Sequence, residues 1–428
     1  MTIRTALKKS QTLISNVGWL TGAELGARIT RIAATVLLAR FLSPIDFGIA
    51  AIAITVFELV RIFNENGIGA AIIRASDEEV AALSKAAYRL GWIICVSLAV
   101  VQTLAGLVVA QITGEPRIAW MVAALSGVYF LMPLGLVHCW LLQRQQRLRR
   151  IAAVNTIQIS TDNVLTAILA LTGFGPWAIV LPKLLTAPIW VLGVRWGRPW
   201  RPEARTLPAP IIPFVRFGLP IVATEALGAL RVHADKFIIG AVFGLEALGL
   251  YYFAFNAGLG LSGSLNNAFR SAIYPHLCND VRNGLDIGRS IDRSLVMVGL
   301  PLVGAFLAQA ALVPLYVPIV FGDQWAVAVP LVVALCLAGP GRLFSDAGAM
   351  MLRASGHVVR ETVQTLLLAF SALGALLTLS QFGLFGSAIG YSTVTVLGGL
   401  LFFIAARFNP SNPSPDIPRK RFPNELRT

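Results

Sequence analysis

Glu24, Arg28 and Arg31 stand at i, i+4 and i+7, and Glu58, Arg61 and Glu65 at i, i+3 and i+7. On a helix each triplet forms one stripe. Both lie among apolar residues, where an ionised side chain at mid-bilayer costs at least ~2.5 kcal/mol and therefore faces a partner or a water-filled cavity. Arginine so placed captures phosphate oxygens bidentately. The chemistry suggested is anion binding through Arg28, Arg31 and Arg61, with Glu24, Glu58 and Glu65 as counter-charges or ion-coupling groups.

A second set repeats the theme. Glu225, Arg231, Asp235 and Lys236 follow at an offset that carries Glu24 onto Glu225. Here Arg231 is the anion contact, and Glu225 and Asp235 are the counter-charges. Asn266 and Asn267, followed by Arg270, offer hydrogen bonds suited to sugars. Asp162 and Lys183 add isolated mid-membrane charges, Asp162 as a further counter-charge, while Arg342 and Asp346 stand one turn apart. No histidine or cysteine spacing suggests a metal ligand set, and no cofactor is expected. Cys95, Cys139, Cys278 and Cys336 read as small core residues. GLGLSG (258–263) matches a dinucleotide fingerprint but lies in an apolar helix with no preceding strand, and Gly22 and Gly26 fit close helix packing better than chemistry.

The elements that position these residues are membrane helices. The chain is 56% hydrophobic and 13% charged, too apolar for a soluble domain of 428 residues. Its apolar runs reach the ~20 residues that a spanning helix needs, and no barrel-like alternation appears. Twelve helices are expected, near 13–41, 45–73, 85–112, 118–142, 152–172, 176–196, 212–242, 246–274, 291–320, 326–351, 362–381 and 385–406. The expected fold is all-α and polytopic, two parallel six-helix repeats around a central cavity. Residues 1–197 form one lobe, the Pro-rich segment 198–213 a cytoplasmic linker, 214–406 the second lobe and 407–428 a disordered basic tail.

Charge placement supports that count. With a cytoplasmic N-terminus, 26 of the 35 Lys and Arg fall on the inner side, and only Arg40 and Arg117 on the outer. The same bias explains the net charge of +14 without a nucleic-acid partner. The basic N-terminus leads into a membrane-length run with no cleavage site and is expected to be retained. An internal repeat aligns LSPIDFGIAA with FGLEALGLYY, placing Gly48 over Gly249. The Ser43-Pro44 break is then the outer turn of a hairpin. It sets Arg28 and Glu58 at one depth, roughly 20 Å below the outer surface, with Glu24 expected near Arg61 and Arg28 near Glu58.

ARFLSPIDFGIAAIA with NENGIGAAIIR, HADKFIIGAVFGLEALGLYYFAF and FGDQWAVAVPLVVALCLAG together resemble the polysaccharide transporter (Wzx-like oligosaccharide flippase) family of the multidrug/oligosaccharidyl-lipid/polysaccharide exporter superfamily. The resemblance spans residues 10 to 406. It implies two six-helix lobes, alternating access, and transfer of undecaprenyl-diphosphate-linked sugar units to the outer leaflet of a bacterial inner membrane. It also implies a cationic cavity in which Arg28, Arg31, Arg61 and Arg231 receive the diphosphate. Membrane lipids and polysaccharide polymerase or export machinery are the expected partners, and no enzymatic step is expected. The alternatives are an ion-coupled drug or organic-cation antiporter of the same superfamily, and a membrane polysaccharide polymerase or ligase. The mixture of charges tells against the first, and the short outer loops against the second.

Overall fold

The computed structural model describes residue 28 and residues 30–64, 68–197, 200–201 and 212–408, apart from some side chains, those of Glu225 and Arg231 among them. Every element in these stretches is helical. They are α1 (30–41), α2 (Pro44–Ile62), α3 (Ile68–Arg74), α4 (Val80–Thr113), α5 (Pro116–Arg144), α6 (Leu148–Leu171), α7 (Trp177–Arg195), α8 (Ile212–Phe255), α9 (Leu261–Arg282), α10 (Ile287–Ser294), α11 (Leu300–Tyr316), α12 (Val329–Ala354), α13 (Val358–Thr378) and α14 (Gly383–Phe408). Seven runs are long and apolar enough to cross a membrane among the described residues. One of them, Val358–Phe408, covers two expected helices that meet at Gly383, whose φ of 80° is left-handed. The 19-residue α2 begins where expected and carries three charges, Asp46, Glu58 and Arg61. Its expected end at 73 is corrected: α2 stops at Ile62, Phe63 caps it, and the short α3 follows.

Contacts divide the chain into two compact units, Met1–Gly249 and Leu250–Thr428. The expected linker at 198–213 lies mostly outside the described residues, as does the tail from 409.

In the first unit the hairpin turn is built by local chemistry. Ser43 is the N-cap of α2 and Pro44 occupies its first turn, where a missing N–H costs nothing. The Asp46 N–H donates to Ser43 Oγ at 3.3 Å, and the Ser43 N–H donates to Asp46 Oδ2 at 3.2 Å, a reciprocal capping box. Arg117 at the start of α5 approaches Asp46 at 3.7 Å and donates to Glu115 at 2.8 Å. This guanidinium holds the Glu115 carboxyl below its ordinary range. Beyond the turn, α2 runs against residues 245–249 of α8 with no room for a side chain. A Cβ on Gly48 would overlap the Leu245 carbonyl oxygen, and a Cβ on Gly249 would overlap that of Pro44. The two glycines aligned by the internal repeat therefore pack backbone to backbone. The break between the halves of α8 falls at Gly244, whose φ is 83°.

Several polar groups inside the first unit find partners across helices, as an apolar solvent favours. Buried Gln102 donates to the Val122 carbonyl at 2.9 Å and accepts from Tyr129 Oη at 2.9 Å, joining α4 to α5. Arginines also close helix C-termini: Arg144 donates to the carbonyls of Ile72, Ile73 and Ala75 at the end of α3, and Arg150 to those of Gly193 and Trp196 at the end of α7. The bias in basic residues thus also closes helix ends.

The second unit is organised on α12, which is largely buried and packs on α9, α11 and α14. A Cβ on Gly341 would meet Val396 Cα at 2.5 Å, and one on Gly399 would overlap the Gly341 carbonyl, a close crossing that small residues permit. Trp325 is fully buried and stacks on Phe253, with ring centroids 4.0 Å apart. A π-helical turn at Asn256–Gly260 joins α8 to α9. Gln309 donates to the carbonyls of Ala257 and Gly258 at 3.0 Å, and Tyr316 to that of Ala257 at 3.2 Å, so the irregular turn leaves these acceptors satisfied. The glycine contact of the first unit yields a prediction: Gly48→Leu or Gly249→Leu should lower stability by at least ~3 kcal/mol through overpacking. Gly91→Ala, where an added Cβ meets nothing within 4 Å, should leave the unfolding temperature of the detergent-solubilised protein unchanged or raised.

Candidate functional site

Charged residues of the spanning helices are mostly neutralised close to where they stand. On α1, Arg28 is half-buried and Arg31 exposed. Thr35 Oγ1 donates to the Arg31 carbonyl at 2.9 Å, and the Arg31 guanidinium makes no ion pair with a described residue. On α2 the expected cross-helix pairing gives way to a local one. Arg61 donates through Nε and Nη2 to Glu58 Oε2 at 3.1 and 2.8 Å, because i, i+3 spacing stacks the two on successive turns. Glu24 and Glu65 lie outside the described residues, so the expected Glu24–Arg61 approach does too.

A pairing not anticipated from sequence joins α6 to α7. Lys183 Nζ lies 3.6 Å from Asp162 Oδ2, both side chains being mostly buried, while Asp162 Oδ1 has no hydrogen-bond partner. The adjacent Asn163 donates to Thr30 Oγ1 at 3.0 Å and so ties α6 to α1 next to Arg31. On α8, Asp235 and Lys236 are buried together at 3% and 5% exposure. The Lys236 N–H and Nζ both donate to Asp235 Oδ1, at 2.9 and 3.1 Å, and Nζ also donates to the Val232 carbonyl at 3.2 Å. Neighbouring residues thereby enter the apolar interior as a neutral pair.

In the second unit, Asn266 on α9 donates through Nδ2 to Asp346 Oδ2 at 2.6 Å, and Arg270 Nη1 approaches Asp346 Oδ1 at 3.7 Å. Arg342, one turn before Asp346 on α12, donates to Tyr391 Oη on α14 at 2.8 Å and lies 5.5 Å from the centroid of the Phe255 ring. Asn267 is exposed. Tyr391, Thr30 and Asn163 were not singled out in the sequence. Their only signal is a polar residue within an apolar run, and which helix it meets depends on packing.

The Asp162–Lys183 pair supplies a second prediction. Lys183→Ala leaves a carboxylate without its counter-ion and should destabilise by about 1–3 kcal/mol, below the ~3–5 kcal/mol for a fully buried pair because both groups keep some exposure. A double variant, Asp162→Asn with Lys183→Ala, should recover part of that loss. A coupling energy near zero in the resulting cycle of unfolding temperatures would show that the two do not interact.

Comparison with known proteins places this arrangement in a family. The profile described as polysaccharide biosynthesis protein matches residues 37–330, more than half of the chain. "Lipopolysaccharide biosynthesis protein WzxC" of Escherichia coli K12 is 22% identical over 374 residues, 86% of this chain and 75% of that protein. "Succinoglycan biosynthesis transport protein ExoT" of Rhizobium meliloti 1021 is 24% identical over 340 residues, 77% of this chain and 66% of that protein. Among solved structures, the lipid II flippase MurJ in an inward closed conformation superposes with a TM-score of 0.72 at 13% identity, over 91% of this chain and 87% of that one. An inward-facing multidrug resistance MATE family transporter of the MOP superfamily gives 0.64 at 15% identity, over 89% and 94%. At these identities the two structures establish a shared helical fold. The chain belongs to the polysaccharide biosynthesis protein family of multi-pass membrane proteins.

Proposed function

We propose that this protein is a flippase that carries undecaprenyl-diphosphate-linked oligosaccharide units from the inner to the outer leaflet of a bacterial inner membrane. The observation that carries the reading is the state of α1. Other cations of the first unit, Arg61, Lys183 and Lys236, are held by carboxylates within 4 Å, whereas Arg31 is exposed and makes no ion pair with a described residue. A phosphate is the ligand whose charge and geometry suit such a guanidinium. Arg28, Arg31 and Arg231 are the proposed diphosphate contacts, joined by Arg61 when it exchanges Glu58 for a phosphate oxygen. Glu24, Glu58, Glu65, Asp162, Glu225 and Asp235 are the counter-charges or ion-coupling groups, and Asn266 and Asn267 contact sugar.

The names of the relatives by sequence, which are biosynthesis and transport proteins of polysaccharides, support this cargo over a drug cation. We further propose two lobes divided at 198–213, both termini on the cytoplasmic side, transport without a covalent step, and polysaccharide polymerase or export machinery as partners. Each guanidinium–phosphate bond contributes about 1.5–3 kcal/mol, so Arg28→Ala and Arg31→Ala should each lower export of the polymer by about tenfold or more at normal expression. Lipid-linked saccharide should then accumulate on the cytoplasmic leaflet. Undiminished export by both variants would overturn the diphosphate assignment.

A further inference from the structure

In the second unit, α9, α12 and α14 bring together Asn266, Arg270, Arg342, Asp346 and Tyr391, and two of their polar groups have vacant hydrogen-bonding capacity. Asn266 is 8% exposed, its Nδ2 is used on Asp346, and its Oδ1 has no hydrogen-bond partner. Leaving such an acceptor unsatisfied costs about 1–3 kcal/mol. Tyr391 Oη accepts from Arg342 Nη2, which leaves its own proton to donate, and that proton finds no acceptor among the described residues. A vacant acceptor and a vacant donor thus flank the Arg342–Asp346 turn of α12, whose residues are ~6 Å apart along the helix.

The charges around these groups exclude simple ions. A phosphate drawn to Arg270 or Arg342 would meet the Asp346 carboxylate, and a metal cation drawn to Asp346 would meet two guanidinium groups. A neutral ligand carrying several hydroxyls fits both conditions, because each hydroxyl donates one hydrogen bond and accepts others. We propose that Asn266, Arg342, Asp346 and Tyr391 form a saccharide-binding subsite in the second unit that reads the hydroxyl pattern of the carried glycan. The proposal rests on the flippase reading given above and adds to it the residues that select the cargo. Asp346 and Arg342 act by fixing the amide and the phenol, and Asn266 and Tyr391 touch the sugar. A site built on hydrogen bonds discriminates strongly, since a ligand lacking the matching hydroxyl leaves buried groups unpaired.

The test compares two ligands on the full chain in lipid nanodiscs. One is undecaprenyl diphosphate without sugar, and the other is the glycosylated lipid extracted from a strain from which the protein has been deleted. Binding of each is titrated by tryptophan fluorescence for the wild type, Tyr391→Phe, Asn266→Leu and Arg28→Ala. Tyr391→Phe and Asn266→Leu should weaken the glycosylated lipid by about tenfold while changing the sugar-free lipid less than about twofold. Arg28→Ala should weaken both alike. Should Asn266→Leu fail to fold, Tyr391→Phe, which removes one oxygen, decides alone. Equal weakening of both lipids by Tyr391→Phe, no weakening of either, or a wild type that binds the two equally well would overturn the subsite. A wild type that binds neither lipid would overturn the flippase reading itself, a distinct result.

Discussion

Backbone-to-backbone packing at Gly48 and Gly249 fixes how α2 meets the stretch of α8 from Leu245 to Gly249, and much of the first unit follows from it. In an apolar solvent, helices gain nothing from hiding apolar side chains from one another, so association depends on close fit and on satisfied polar groups. Glycine at both positions removes the side chains that would hold the helices apart, and each then lies against a carbonyl of the other segment. The Ser43–Asp46 capping box sets the start of α2, and so the register that brings Gly48 to the contact. The Gly341–Gly399 crossing organises α12 and α14 in the second unit by the same means.

Charge burial is the second constraint, met mainly by proximity. Glu58 with Arg61 and Asp235 with Lys236 are pairs within one helix, formed whenever the helix forms. Asp162 with Lys183, and Asp346 with Asn266 and Arg270, require two helices to be in place. The first kind removes charge from the interior without specifying tertiary structure. The second kind specifies it, and there unsatisfied atoms remain, Asp162 Oδ1 and Asn266 Oδ1. A ligand site of this kind combines groups fixed by neighbours with groups still able to accept a bond.

The segments that carry the family resemblance prove to be packing segments. ARFLSPIDFGIAAIA holds the capping box and Gly48. The segment from His233 to Phe255 supplies Gly249 to the first unit and Phe253 to the second, while FGDQWAVAVPLVVALCLAG supplies the Trp325 that stacks on Phe253. None of these contacts is chemical in the sense of touching a ligand. They make the scaffold recognisable in sequence, while Arg28, Arg31, Asn266, Arg342, Asp346 and Tyr391 lie outside these segments.

The sequence by itself determined the all-helical membrane class, most helix boundaries and the Ser43-Pro44 turn, because apolar length, Pro, Gly and capping residues act locally. It also marked Gly48 and Gly249 as equivalent, since the repeat aligns them. Depth alone, the basis for pairing Arg28 with Glu58, did not show that Glu58 would take Arg61 from its own helix. Nor did it show that Asp162 would find Lys183, or that Tyr391 would meet Arg342. These partners lie on different helix faces, and which faces meet depends on rotation about each helix axis. That rotation is settled only when the small residues have let the backbones close together and the charged side chains have met partners on neighbouring helices.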